Sequence, residues 1–275
     1  MKLSELKEKN TDELVTLLNA QKKEYLVEKF VALGLPHKKT EEYHYFDVEK
    51  ILEKKYKTLN YPPKPIAQGE KIIITDGVVT SAPAGMRIYY EDCKKLDMEH
   101  FDPLYYLGHL LSPHTIKIEI DGDTLLEVEH HYTQSNALIN YRIVLFNQAN
   151  RNSTLYEHFI AEDIENTLVL YGYDMHIAQD STLRIVKMQS MNDDQYSMIA
   201  SHKINVANNA NALFKSFDFG GGQSLQLLKV DLETHAHIEA DHLLYVNQHS
   251  RRGTVSQIIH KGEYSTSKQE RGIVS

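Results

Sequence analysis

The sequence predicts a mainly β protein with a small α-helical domain at its N-terminus. Before residue 60, apolar residues recur near helical spacing. From about residue 70, short β-rich runs recur, separated by a few residues rich in Asn, Asp, Gly or Ser. From about residue 113 no helix-forming stretch lies between these runs. That pattern excludes a doubly wound parallel sheet, because such a sheet needs a helix in every crossover.

The helical prediction rests on capping and stop signals. Residues 10–13 (Asn-Thr-Asp-Glu) supply a cap and early carboxylates, which suit the free N–H groups and the positive end of a helix. Gly34 and Pro36 follow the apolar positions as a stop signal. A second short helix is predicted to start at Asp47. The Pro-rich run 61–65 cannot continue a helix and predicts a stiff linker.

The β-rich runs predict a series of short strands but leave the architecture open. More than ten strands with polar corners suit either an antiparallel sandwich or barrel, or a β-helix of stacked turns. No exact repeat distinguishes the two. The predicted strands are 71–74, 115–120, 125–129, 138–146, 154–161, 166–177, 182–188, 197–204, 211–219, 224–232, 238–246 and 254–260, the last being the final strand.

Composition limits the function. The 275 residues carry a formal net charge of −8 at pH 7, which gives little support to nucleic-acid binding. The single cysteine, Cys93, excludes an intrachain disulfide and a four-cysteine metal site. No apolar run approaches the ~18 residues of a membrane span. The polar N-terminus lacks the apolar core of a signal peptide. We therefore expect a cytoplasmic protein that binds neither nucleic acid nor membrane.

Three motifs resemble parts of the SufB/SufD family of iron–sulfur cluster assembly proteins. Residues 34–45 (Gly-Leu-Pro-His-Lys-Lys-Thr-Glu-Glu-Tyr-His-Tyr) resemble the N-terminal signature of SufD proteins, with Tyr43 where the family usually carries Trp. Residues 220–226 (Gly-Gly-Gly-Gln-Ser-Leu-Gln) and 230–233 resemble the Gly-Gly turn and the following strand of the family core. With the motif below, the resemblance covers most of residues 20–262 in the family's order.

The third motif, residues 249–262, supplies the candidate site residues. It is similar to the SufB/SufD motif in which His, Thr, Ser and finally Lys-Gly follow one another. The resemblance implies that His249, Thr254, Ser256 and Lys261 lie at the cluster site or at a partner interface, with His249 as the one candidate metal ligand. Where many SufD proteins carry a second His, this sequence has Gly253, which cannot bind metal through a side chain.

The resemblance also implies a fold and partners. It implies a right-handed parallel β-helix over residues 113–275, behind an N-terminal helical domain with its linker (1–65) and a connecting segment (66–112). It implies a non-enzymatic SUF scaffold subunit that pairs with a SufB-like subunit and the ATPase SufC, and we expect a homodimer when it is isolated. No intrinsic cofactor is implied, only a transient iron–sulfur cluster or iron within a partner complex. The family's C-terminal helical domain, which docks SufC, would lie beyond Ser275, so we expect a truncated or reduced member.

Histidines suggest a second kind of site. His235 and His237 are predicted to share one face of a strand, where imidazoles could bind iron or zinc. Three more, His242, His249 and His260, could lie on neighbouring turns. The alternative is that these are exposed or hydrogen-bonded strand histidines without a ligand. The pair at 130 and 131 is predicted to point to opposite faces and to lie on the surface.

Two other function classes remain open at this point. A β-helix carbohydrate-active enzyme would use paired carboxylates, such as those at 193–194 or Asp121 and Asp123, held across a cleft. These acids fall in turn-like segments, which favours ordinary solvated turns. The third class is a free-standing structural or binding β protein without a role in cluster assembly.

Overall fold

The computed structural model describes residues 2–18, 23–36, 43, 46–59, 61–91, 101–161, 163–191, 195–247 and 250–275. A 3-10 helix spans Leu3–Glu8. The α-helices are α1 (Thr11–Leu17), α2 (Glu24–Leu33), α3 (Val48–Glu53) and α4 (Pro103–Leu111). The strands are β1 (Lys57–Thr58), β2 (Ala67–Gln68), β3 (Ile72–Thr75), β4 (Val78–Ala82), β5 (Arg87–Glu91), β6 (Thr115–Ile120), β7 (Leu125–Tyr132), β8 (Ala137–Asn147), β9 (Asn152–Ala161), β10 (Thr167–Ile177), β11 (Thr182–Gln189), β12 (Tyr196–Val206), β13 (Asn211–Asp218), β14 (Gln223–Leu232), β15 (His237–Tyr245), β16 (Arg251–His260) and β17 (Thr266–Val274).

Strands β6 to β17 coil into a parallel β-helix. Even-numbered strands from β6 to β16 form the first sheet and odd-numbered strands from β7 to β17 form the second, so the chain changes sheet after every strand. All neighbouring pairs within this series are parallel. Leu138 pairs with Leu168, 30 residues later, and Ser197 pairs with Gln223, 26 residues later. The predicted β-helix is therefore confirmed, and the antiparallel sandwich is excluded.

Alternating side chains fill the interior of the β-helix. Because successive residues of a strand point to opposite faces, every second position of each strand enters the space between the sheets. Leu155, Ile185, Phe214 and Ile238 lie there fully buried. The opposite positions of the first sheet, such as Leu168, belong to a separate apolar cluster that they share with the helices.

The polar corners of the β-helix have a left-handed backbone. At each passage from the first sheet to the second after β8, one residue has φ between 57° and 60°: Asn150, Asp180, Asn209, His235 and Tyr264. Asn and Asp tolerate this conformation better than other non-glycine residues, which explains the Asn-rich segments of the sequence. The backbone N–H at 150, 180, 209 and 235 donates to a carbonyl of the next corner, at 2.9–3.2 Å. The corners are thereby stacked from turn to turn.

The helices cover the outer face of the first sheet. Asn10 and Glu13 form a reciprocal capping box at the start of α1, as the cap signals predict. Helix α2 ends at Leu33 with Gly34 at φ 70°, and α3 begins after Asp47, so both of these predictions are confirmed. None of the helices within the described ranges combines the length and the apolar character needed to span a membrane.

The two ends of the β-helix differ. At the N-terminal end, β3 pairs antiparallel with β4, and β5 pairs antiparallel with β6. At the C-terminal end, β16 and β17 each have one paired side among the described strands. The prediction that 254–260 is the final strand is wrong, because β17 continues the second sheet after it. The sequence of β17 lacks the alternation of apolar and polar residues that predicts a strand, and all nine of its residues are exposed.

Candidate functional site

Two of the predicted site residues meet inside the last turn of the β-helix. In the register of the first sheet, Thr254 pairs with Gln226 and Ser256 with Leu228, a residue of the interior core. Both hydroxyl groups therefore point into the interior. Thr254 Oγ1 and Ser256 Oγ are buried and have no hydrogen-bond partner among the described residues. Buried hydroxyl groups without a partner are costly, which makes this pair a candidate binding position.

Lys261, the third predicted residue, is not part of this group. Lys261 follows β16, and its Nζ lies 3.3 Å from Asp231 Oδ2, which Lys203 Nζ approaches to 3.5 Å. Asp231 alternates with the interior residues of β14, so this ion-pair cluster lies on the outer face of the first sheet. His249 lies outside the described residues, and its role as a metal ligand stays a prediction.

A chain of hydrogen bonds leads to the last turn from deeper in the interior. Lys187 Nζ donates to Gln226 Oε1 at 3.0 Å, and Ser216 Oγ donates to the same oxygen at 3.2 Å. The amide oxygen of Gln226 is thus occupied, and its NH₂ group lies 3.5 Å from Nδ1 of His242. This arrangement assigns Nδ1 of His242 as an acceptor and leaves the ring proton on Nε2.

His242 is a neutral donor inside the last turns. It lies between Ser216 and Arg271 in the register of the second sheet, and it is 4% exposed. Burial, together with the positive charges of Arg271 and Lys187, lowers its pKa to about 4. Its Nε2 has no hydrogen-bond partner among the described residues.

A second polar network lies nearer the centre of the β-helix. Glu157 Oε1 lies 2.9 Å from Nε2 of His130, and the hydroxyl of Tyr141 lies 2.8 Å from Nδ1 of the same ring. Glu157 and His130 are fully buried, so the prediction that the pair at 130 and 131 lies on the surface is wrong for the first of the two. His131 points outward and contacts Glu129.

Lys187, which none of the sequence motifs predicts, connects the two networks. Its register neighbours are Glu157 on one side and Ser216 on the other. Its Nζ lies 5.5 and 5.3 Å from the ring centres of Phe159 and Tyr171, and burial lowers its pKa. A charged residue at an interior position of a strand is a signal that the sequence does contain, since Lys187 falls two residues after the core residue Ile185.

The predicted histidine face does not exist. His235 occupies a left-handed corner, with its ring stacked at 5.1 Å on Tyr264, and only His237 belongs to the strand. His237 Nδ1 contacts Thr266 Oγ1 at 2.8 Å, and His260 contacts two serine hydroxyls near its own corner. Within the described ranges, no three His, Cys, Asp or Glu side chains are grouped to hold a metal ion.

The candidate carboxylates of a carbohydrate-active enzyme have structural partners. Asp121 forms an ion pair with Arg87 at 2.8 Å, and Asp123 accepts a hydrogen bond from the backbone N–H of Asn152 at 2.7 Å. They are therefore not two free carboxylates facing each other across a cleft. The carboxylates at 193–194 and the thiol at 93 lie outside the described residues.

A buried charged cluster joins α4 to the first sheet. Arg142, which is fully buried, donates through Nη1 to the carbonyl and hydroxyl of Ser201 at 2.9 and 2.8 Å, and its Nη2 lies 3.5 Å from Asp174 Oδ2. His109 Nε2 lies 3.0 Å from the same carboxylate oxygen. Gly172 leaves room for the guanidinium, because a Cβ at this position would lie 2.3 Å from Arg142 Nη1 and 1.8 Å from the carbonyl oxygen of Ser201. This cluster fixes the helical layer to the β-helix.

Two family models match the chain, one over most of the β-helix and one over the N-terminal helices. The model described as "SUF system FeS cluster assembly, SufBD core domain" matches residues 128–275, which is more than half of the chain and most of the β-helix. The model described as "SufBD protein N-terminal region" matches residues 3–71, which include α1 to α3. No individual curated protein matches the chain significantly. The chain therefore belongs to the SufBD family of the SUF system, which assembles iron–sulfur clusters.

Proposed function

We propose that this chain is a cytoplasmic, SufD-like scaffold subunit of the SUF system, without enzymatic activity of its own, and that it binds a SufB-like subunit through the C-terminal end of its β-helix. In this proposal a SufC-like ATPase joins the complex, and iron or a nascent cluster is held transiently with the partner. Membership in the family supports the SUF role. The unpaired sides of β16 and β17 are the observation that carries the docking proposal.

The free edge of β17 can accept another strand. The N–H of Thr266 donates to the carbonyl of Ala236 in β15, so even-numbered residues of β17 turn their N–H groups inward to the sheet. Ser267, Gln269, Arg271 and Ile273 then turn theirs toward the free side, since backbone groups alternate along a strand. Such an edge is a template for strand addition by another chain.

Exposed apolar side chains at the C-terminal end of the β-helix also favour docking, because a partner would bury them. Tyr264 at the last corner is 75% exposed, and Ile273 in β17 is 64% exposed. Each end of a β-helix presents two edge strands, one from each sheet, at a fixed separation. A second SufBD β-helix offers two edges with the same separation and can pair with both at once. This geometry supports a SufB-like partner in the complex and a second copy of the chain when it is isolated.

A proline pair tests the docking edge. Gln269→Pro removes an N–H that faces the free side and leaves the pairing with β15 intact, so we expect co-purification with a SufB-like subunit to be lost and the melting temperature to change little. Lys268→Pro removes an N–H that faces β15 and is the matched control, with a lowered melting temperature. Light scattering on the isolated chain should show a dimer for wild type and a monomer for Gln269→Pro.

Two results would contradict the proposal. One is full recovery of the SufB-like subunit with Gln269→Pro. The other is a wild-type chain that light scattering shows to be a monomer at every concentration, which would remove the homodimer from the proposal. A SufB-like subunit that co-purifies with wild type but not with Gln269→Pro supports docking through this edge.

A further inference from the structure

We propose that the interior of the last turn binds a small inorganic anion, held by the hydroxyl groups of Thr254 and Ser256, the Nε2–H of His242 and the guanidinium of Arg271. This site goes beyond the scaffold role, since it belongs to the isolated chain and needs no partner. The family matches assign no ligand to these residues.

The register brings the four residues into one turn. Thr254 and Ser256 are successive interior positions of β16, in the first sheet. His242 and Arg271 are neighbours in the second sheet, on β15 and β17. Arg271 reaches across from the second sheet, and its Nη2 donates to the carbonyl oxygen of Thr254 at 3.0 Å. That bond holds the two sheets of the last turn together at the proposed site.

The unused polar groups of this turn can all serve as hydrogen-bond donors. The orientation of the Gln226 amide makes Nδ1 of His242 an acceptor, so the unpartnered Nε2 carries the proton. The hydroxyl groups of Thr254 and Ser256, likewise buried and without a partner among the described residues, each carry a proton to donate. A ligand that satisfies such a set must be an acceptor, and an anion is the strongest acceptor of this size.

The local charge favours an anion as well. Arg271 stands at the open side of the turn, and the buried Lys187 lies behind Gln226. The nearest interior carboxylates are engaged elsewhere: Asp218 lies 3.0 Å from Arg252 Nε, and Glu157 contacts His130. Neither of these carboxylates is a register neighbour of Thr254, Ser256, His242 or Arg271. A metal cation fits this turn less well, because the Nε2–H of His242 and the guanidinium of Arg271 offer it no lone pair and Arg271 repels it by charge.

Titration of the full-length isolated chain tests the site. Sodium chloride and sodium sulfate are added at constant ionic strength against sodium gluconate, whose anion is too large for a β-helix interior, and binding is followed by calorimetry and by the melting temperature. We expect saturable binding of one anion per chain. We expect Thr254→Val with Ser256→Ala, and separately Arg271→Gln, to weaken binding at least tenfold. Arg184→Gln, an exposed arginine on the outer face of β11, is the matched control and should bind as wild type.

The outcomes separate clearly. A preference for chloride or for sulfate identifies the shape of the anion, and a bromide ion located by anomalous diffraction beside Thr254 supports the assignment directly. The proposal is overturned if no added anion binds saturably, or if the hydroxyl and Arg271 variants bind like wild type while circular dichroism shows them folded. Because the experiment contains no SufB-like subunit, its failure leaves the docking proposal standing, and a failed docking test leaves this site standing.

Discussion

At its N-terminal end the β-helix is closed by antiparallel strands, whereas at its C-terminal end β16 and β17 each have one side without a partner among the described strands. Ile74, in the closing strand β3, is fully buried, and Ile273, in the last strand β17, is 64% exposed. In the charged cluster near α4, Arg142 contacts both Ser201 and Asp174. Near β16, buried hydroxyl groups lack partners among the described residues.

This difference indicates that the two ends of the β-helix have different roles, one in stability and the other in binding. Side chains of the closed end, and those between the helices and the first sheet, are buried against one another, so changes there should act on stability. The open end keeps backbone edges, apolar side chains and donors available, so changes there should act on binding. Substitutions at matched positions of the two ends can break this interpretation.

The largest effect on stability is expected from Arg142→Met. The variant keeps much of the side-chain volume but leaves Asp174 buried with its charge and without its guanidinium partner. Breaking a buried ion pair in this way costs about 3–5 kcal/mol. Urea unfolding should show this loss in the free energy of unfolding. Arg184→Met, at an exposed position, is the control and should change stability by less than about 0.5 kcal/mol. A small loss for Arg142→Met would mean that the helical cover is fixed by its apolar contacts alone.

A matched isoleucine pair compares the two ends directly. Ile74→Ala empties a buried position between β4 and β7 and should lower the free energy of unfolding by about 2–5 kcal/mol. Ile273→Ala removes a mostly exposed side chain and should lower it by less than about 0.5 kcal/mol. In the co-purification assay we expect the order to reverse, with the larger loss of SufB-like subunit for Ile273→Ala. Equal stability losses would show that the C-terminal end is as well packed as the N-terminal one.

Local sequence signals predict most elements of the fold. The strands at its edges are poorly predicted, because they depend on pairing with residues far away in the sequence. Helix α3 and strand β6 are predictable because a cap, an apolar stripe and an alternating pattern lie within a few residues. Strand β17 is not, because it is exposed on both faces and is held by backbone pairing with β15. The choice between a β-helix and a sandwich depends on pairing between residues nearly 30 positions apart, so it comes from the family resemblance and not from periodicity.

The candidate site shows the same limit. Thr254 and Ser256 can be found through the family motif, but their place beside His242 and Arg271 requires the register of both sheets. The histidine face fails for a local reason, since the left-handed backbone at His235 ends the strand geometry that the prediction assumes. The buried Lys187 could be noticed from its position in the alternating pattern, although its hydrogen bond to Gln226 could not.

The smallest of these effects should appear as pH dependence, from one histidine on α4 and one near the open end. Burial and a neighbouring arginine lower the pKa of His109 and of His242 to about 4. Below a pKa of about 6.5 the unfolded chain takes up a proton at each of these residues, while the folded protein stays neutral there until about pH 4. Stability therefore falls as the pH falls, by about 1–2 kcal/mol per histidine between pH 7 and pH 5.

Two substitutions assign this pH dependence to its sources. His109→Gln keeps a donor toward Asp174, and His242→Asn keeps an acceptor toward Gln226, so each variant should lose one histidine's share of the slope and retain the other's. Urea unfolding at pH 7, 6 and 5 measures the slope. Added chloride or sulfate should reduce the loss at pH 5 in wild type but not in His242→Asn, because a bound anion favours a protonated imidazole beside it. If added anions stabilise His242→Asn at pH 5 as much as they stabilise wild type, the anions act at a position other than the open end.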